Sequence, residues 1–151
     1  MTDRVAERVY VLRLRGNRYY VGSTLRCVKA RWSEHCTGAG SRWTKRYAPE
    51  QLVCWMEVPD GYGDQVENEV TRYLMWVHGW GRVRGGKWVF VKCRAAWWLP
   101  QELRSLGPAD VLPLHARPMG HFCPQSRRLV EALEVGRGLH VIIWIPMRFP
   151  R

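Results

Sequence analysis

The sequence predicts an α+β fold: a small antiparallel three-stranded sheet flanked by helices, with a C-terminal extension. Three observations carry that prediction. Two short β-like runs, residues 9–14 and 18–22, are split by the turn residues Gly16-Asn17, which is a hairpin pattern. Apolar residues at Val66, Val70, Tyr73, Leu74 and Val77 keep helical periodicity. The elements between and around these give the order β-β-α-β-α.

Val9-Tyr10-Val11-Leu12 opens the first strand and Tyr19-Tyr20-Val21-Gly22 returns antiparallel, so Tyr10 and Tyr20 are expected as a facing pair. Ser23 and Thr24 are cap-type residues ahead of a helix over residues 26–35. Within it, Val28, Arg31, Trp32 and His35 share one face by their spacings of three and four. Residues 36–41 form a Gly-rich loop, and residues 43–48 are basic and aromatic. Leu52-Val53-Cys54-Trp55-Met56 is the third strand, and residues 59–63 are a turn cluster. Asp64 is placed to cap a helix reaching His78, and Gly79 fits its C-terminal end. Residues 81–86 are rich in Gly and Arg, and Trp88-Val89-Phe90-Val91 is either a further strand or an apolar anchor. Beyond these come a short helix at 100–106, a proline-containing linker at 107–125, a helix at 126–135 and a strand at 139–145. The chain is therefore divided into residues 1–92, carrying the α+β core, and an extension at 93–151 whose role the sequence does not assign.

Composition narrows the partners. The chain has 151 residues and is 46% hydrophobic, which argues against a disordered chain and allows a buried core. Its 24 Lys and Arg against 13 Asp and Glu give a net charge of +11, which favours a polyanion, nucleic acid ahead of an anionic membrane. The five cysteines are scattered with no C-x-x-C pair, which argues against a disulfide framework and a zinc knuckle. His115, His121 and Cys123 crowd together but lack a fourth ligand nearby. Free thiols fit a reducing interior. Residues 1–8 are charged with no apolar core of a signal peptide, and residues 141–145 are too short a run to span a bilayer. A soluble intracellular protein is expected, with no membrane partner and with cytoplasm and nucleus left open.

The chemistry-bearing residues follow in a set order. Val9-Tyr10-Val11 and Tyr20-Val21-Gly22 place Tyr10 and Tyr20 ten residues apart, Arg31 and Glu34-His35 sit on the next helix, and Glu67 lies on the long one. Over about residues 9–88 this arrangement resembles the GIY-YIG endonuclease family. The second motif is nearly intact, whereas Arg8-Val9 stands where the first has Gly-Ile. Residues 38–44 with Pro49 resemble the loop before the family's third strand, and residues 83–86 a segment after its metal-bearing helix.

The resemblance implies a metal-dependent DNA endonuclease. Glu67 would hold one divalent ion, Mg2+ with Mn2+ as a substitute, and Glu69 is its rival by position. Periodicity favours Glu67. Arg31 would clamp the phosphate, and Tyr10 and Tyr20 would position the attacking water or take its proton. His35, expected to titrate near neutrality, is the other candidate base. Ser23 stands where some relatives carry Lys. Arg42, Trp43, Lys45 and Arg46, with Arg84 and Lys87, mix planar and cationic groups suited to DNA. The alternative is a catalytically inactive nucleic-acid-binding module on the same fold, for which the missing glycine is the best support. Taken singly, the two tyrosines are ordinary strand aromatics and Glu67 an ordinary helical carboxylate; joint order carries the reading.

Overall fold

A computed structural model describes residues 7–58, 61–92 and 96–111. The linker, helix and strand expected beyond residue 111, and the His115, His121, Cys123 group, lie outside the described residues.

The chain forms strands β1 (Glu7–Leu14) and β2 (Arg18–Thr24), helices α1 (Val28–Cys36) and α2 (Arg42–Arg46), strand β3 (Pro49–Val58), helix α3 (Gly63–His78) and strand β4 (Val83–Gly85). The sheet order is β3-β1-β2-β4. The expected antiparallel three-stranded sheet is thus corrected to a mixed one of four strands, because β4 adds parallel to β2. The hairpin forms where expected, with Gly16 and Asn17 at φ 75 and 55. These left-handed values suit Gly and Asn and match the twist of the flanking strands.

Alternation along the strands sorts residues to two faces. Val9, Val11 and Val21 pack with Val66, Val70, Leu74 and Trp76 of α3. Tyr10, Leu12, Leu14 and Tyr20 point to the other side, against Val28 of α1 and Trp43 of α2. The register pairs Tyr10 with Gly22 and Leu12 with Tyr20, so the tyrosines are diagonal neighbours on one face and not directly opposed.

Helix α3 starts one residue before Asp64. Its first-turn donor is satisfied from across the fold, where Gly63 N–H donates to Glu7 Oε2 at 3.2 Å. At the far end Gly79 adopts φ 90 and returns its N–H to Met75 O, as the sequence predicts. The chain at 96–111 packs on the same core. Leu99 and Leu103 join the cluster around α3, and Trp80 Nε1 donates to Leu106 O at 2.9 Å. Among the described residues no helix is long and apolar enough to cross a membrane.

Candidate active site

The site grows from the hairpin. Tyr10 and Tyr20 project from adjacent strands with ring centroids 6.4 Å apart. Gly22 lies opposite Tyr10, and a Cβ there would overlap Tyr10 Oη and the Tyr20 ring. The second motif ends in glycine because the tyrosines occupy the space a side chain would take. The glycine missing from the first motif has no such role. Arg8 lies in regular β1, paired with Thr24 and Glu57, at no positive φ.

Helix α1 brings Arg31 and His35, one turn apart, over this pair. Tyr10 and His35 are both buried, and Tyr10 Oη lies 2.8 Å from His35 Nε2. On the other ring nitrogen, His35 Nδ1 lies 2.9 Å from Thr44 Oγ1. Thr44 donates its hydroxyl proton to Ser41 O at 3.0 Å, and a carbonyl can only accept. Thr44 Oγ1 therefore accepts from Nδ1–H. This assigns Nε2 as the lone-pair nitrogen that accepts the Tyr10 proton. Arg31 donates to Tyr10 Oη from the other side, and its Nη1 pairs with Glu34 Oε2 at 2.5 Å.

Protonation follows burial. Desolvation pushes the Tyr10 and Tyr20 phenols up, aided by Tyr20 for the first and Glu67 for the second. Burial, then the Arg31 charge, pulls His35 from 6.5 to about 4. The expectation that His35 titrates near neutrality is corrected: at neutral pH it is an uncharged acceptor.

Glu67 faces the tyrosines from α3. Its Oε1 accepts from Gly86 N–H at 2.8 Å, and Ser23, directly after the second motif, also hydrogen-bonds the carboxylate. Burial raises its pKa against those two donors, with Asp64 and Glu7 adding to the rise. A carboxylate so disfavoured as an anion suits a cation partner. No group of three or more His, Cys, Asp and Glu that could hold a metal occurs among the described residues. A lone carboxylate fits a hard ion that keeps several waters, as Mg2+ does, and not a tetrahedral zinc. Glu69 is buried, with Gln65 Nε2 3.5 Å from its Oε1.

Of the residues expected to meet DNA, Arg42, Lys45, Arg46 and Lys87 are exposed. Trp43 and Arg84 are not, and the expectation of a surface role for them is corrected. Trp43 is 3% exposed and donates Nε1–H to Tyr19 O at 3.0 Å. Arg84 is 2% exposed, stacks 4.6 Å from the Trp43 ring, and donates to Phe90 O and Trp80 O at 2.6 Å. The parallel pairing of Tyr20 with Arg84 turns the side chain inward, so it braces the wall behind Tyr20. Sequence reasoning missed Thr44, Gly40 and Gly86. Gly40 leaves room for the His35 ring and Thr44 Oγ1, where a Cβ would collide. Gly40 and Gly86 lie in Gly-rich segments that also resemble family segments, but nothing in the sequence singles out either glycine.

Residues 8–70 match the family model of the GIY-YIG catalytic domain, a nuclease family. No curated protein and no solved structure matched the chain.

Proposed function

We propose that this protein is a divalent-metal-dependent DNA endonuclease whose phosphodiester hydrolysis uses Tyr10, Tyr20, Arg31, His35 and Glu67. One observation carries the reading: α1 sets Arg31 and His35 on the tyrosine face of the hairpin, and Glu67 of α3 lies within electrostatic reach of both tyrosines. Glu67 holds one Mg2+, for which Mn2+ substitutes. The ion, when bound, neutralises charge on the phosphoryl and leaving oxygens.

Arg31 clamps the scissile phosphate with its planar fork. Tyr10 donates a hydrogen bond to His35 Nε2, which leaves its lone pairs to accept from Arg31 and from the attacking water. As the water oxygen bonds to phosphorus, the water proton passes to Tyr10 Oη and the phenol proton passes to His35. The relay matters because burial makes a free Tyr10 phenolate costly. The charge appears on His35 instead, where burial and the Arg31 charge also disfavour it, so the bound phosphate has to offset that cost. The ester oxygen leaves with its bonding pair and takes a proton from solvent. Tyr20, beside Arg31 and Ser41, orients the phosphate. Exposed Arg42, Lys45, Arg46 and Lys87 neutralise flanking phosphates, which makes binding fall with salt.

Supercoiled plasmid tests the reading. Nicking or linearisation is expected with Mg2+ or Mn2+ and none with EDTA. Binding without cleavage in either metal would assign the inactive module instead.

A further inference from the structure

A second feature lies on the far side of the Gly86 turn. A groove of about 340 Å³ opens between α3 and the turns at 96–103, lined by Arg72, Lys87, Trp88, Trp97, Trp98 and Arg104 among others. Its lining holds three cations, three tryptophans and no carboxylate. Trp97 is 74% exposed, the most open large apolar side chain among the described residues. Its backbone is held by Arg104, which donates Nη2–H to Trp97 O at 3.3 Å and Nε–H to Leu99 O at 3.2 Å. Trp98 next to it is braced by Phe90, at 5.6 Å between rings, and by Arg84 at 5.3 Å. An exposed indole in a groove that also holds guanidinium and ammonium groups offers a stacking platform with phosphate partners in the same lining.

The groove is joined to the active site through two hydrogen bonds. Gly86 N–H holds Glu67, and Lys87 N–H holds Asn68 Oδ1 at 2.9 Å. Arg72 follows Asn68 by one helical turn, ~6 Å along α3. The Gly86-Lys87 turn therefore touches Glu67 through one residue and lines the groove with the next.

We propose that this groove binds an unpaired nucleotide of the nucleic-acid substrate, its base stacked on Trp97 and its phosphate held by Lys87, Arg72 and Arg104. The proposal rests on the nucleic-acid reading above and specifies its substrate as DNA with a single-stranded segment beside the cleaved bond. The aromatic platform favours this occupant over duplex, because bases inside a duplex are not free to stack on a side chain.

The test is fluorescence anisotropy of labelled oligothymidylate and of a duplex of equal length, with the full chain in EDTA. Trp97→Ala is expected to weaken single-strand binding about 5- to 100-fold, with Trp97→Phe retaining most of it, while duplex affinity changes less than about twofold. The exposure of Trp97 makes loss of the fold an inadequate explanation, and unchanged circular dichroism checks this. Unchanged single-strand affinity in Trp97→Ala, or an equal loss on duplex, would overturn the groove. Because binding is read without cleavage, the two readings fail separately. Oligothymidylate binding that needs Trp97 in a protein that never cuts plasmid sinks only the nuclease; plasmid cutting with a Trp97-independent oligothymidylate signal sinks only the groove.

Discussion

Acidification should destabilise this protein through His35. The ring is 1% exposed and carries a pKa of about 4 in the fold against 6.5 in the open chain. Between those values the unfolded chain binds a proton that the folded chain refuses. Stability from this source is therefore fully present above 6.5 and is lost as pH falls to about 4. The gap of 6.5 minus 4, or 2.5 units, is worth roughly 3 kcal/mol at ~1.4 kcal/mol per unit. That is a large share of the about 5–15 kcal/mol that holds a domain together. Urea unfolding followed by tryptophan fluorescence, at several pH values from about 7 to about 4, reads it directly. His35→Gln keeps a hydrogen-bonding side chain without a titrating ring. Its stability should fall roughly 3 kcal/mol less than that of the wild type across the window, whatever the carboxylates contribute to both. Parallel curves for the two proteins would refute the assignment of a buried, neutral His35, and with it the proton acceptor proposed for Tyr10.

Three further substitutions separate chemistry from scaffold. Tyr10→Phe should lower cleavage about 10²- to 10⁴-fold in plasmid assays, and it should cost about 1–3 kcal/mol in urea because buried Nε2 of His35 loses its donor; near-wild-type rates would remove Tyr10 from the relay. Gly22→Ala puts a methyl into the space of the Tyr10 and Tyr20 rings. It should abolish cleavage and cost about 1–3 kcal/mol by overpacking, and an active, equally stable variant would show that the tyrosine geometry is not required. Arg84→Ala should destabilise by about 3 kcal/mol or more, since several carbonyls lose a buried donor. Thermal unfolding checks it, and a stable variant that merely binds DNA less tightly would return Arg84 to the surface role first expected of it.

What could be read from the sequence was local. Gly16-Asn17, the alternating valines of the hairpin and the apolar stripe of α3 each report on neighbours within a few residues, and all three elements stand where the pattern puts them. Strand β4 does not report itself in this way. Val83-Arg84-Gly85 is three residues long in a Gly- and Arg-rich stretch, and it becomes a strand only by parallel pairing with β2, far away in sequence. The same pairing explains why Arg84 was read as a surface cation: composition shows a charge, but not the carbonyls and the Trp43 ring that enclose it. His35 follows the same logic. Its helix face was legible, but the burial that shifts its pKa comes from Tyr10, Tyr20 and Thr44 on three other elements. The residue match over 8–70 supports the family resemblance but stops before Gly86, whose N–H completes the surroundings of Glu67.

The central claim is that Glu67 holds the metal of a phosphodiesterase site. The most direct measurement is Mg2+-dependent nicking of supercoiled plasmid by Glu67→Gln beside wild type and Glu69→Gln, with circular dichroism confirming each fold. The account predicts that Glu67→Gln loses cleavage at every Mg2+ and Mn2+ concentration while still retarding DNA in gels, and that Glu69→Gln keeps cutting. Wild-type nicking by folded Glu67→Gln would contradict it.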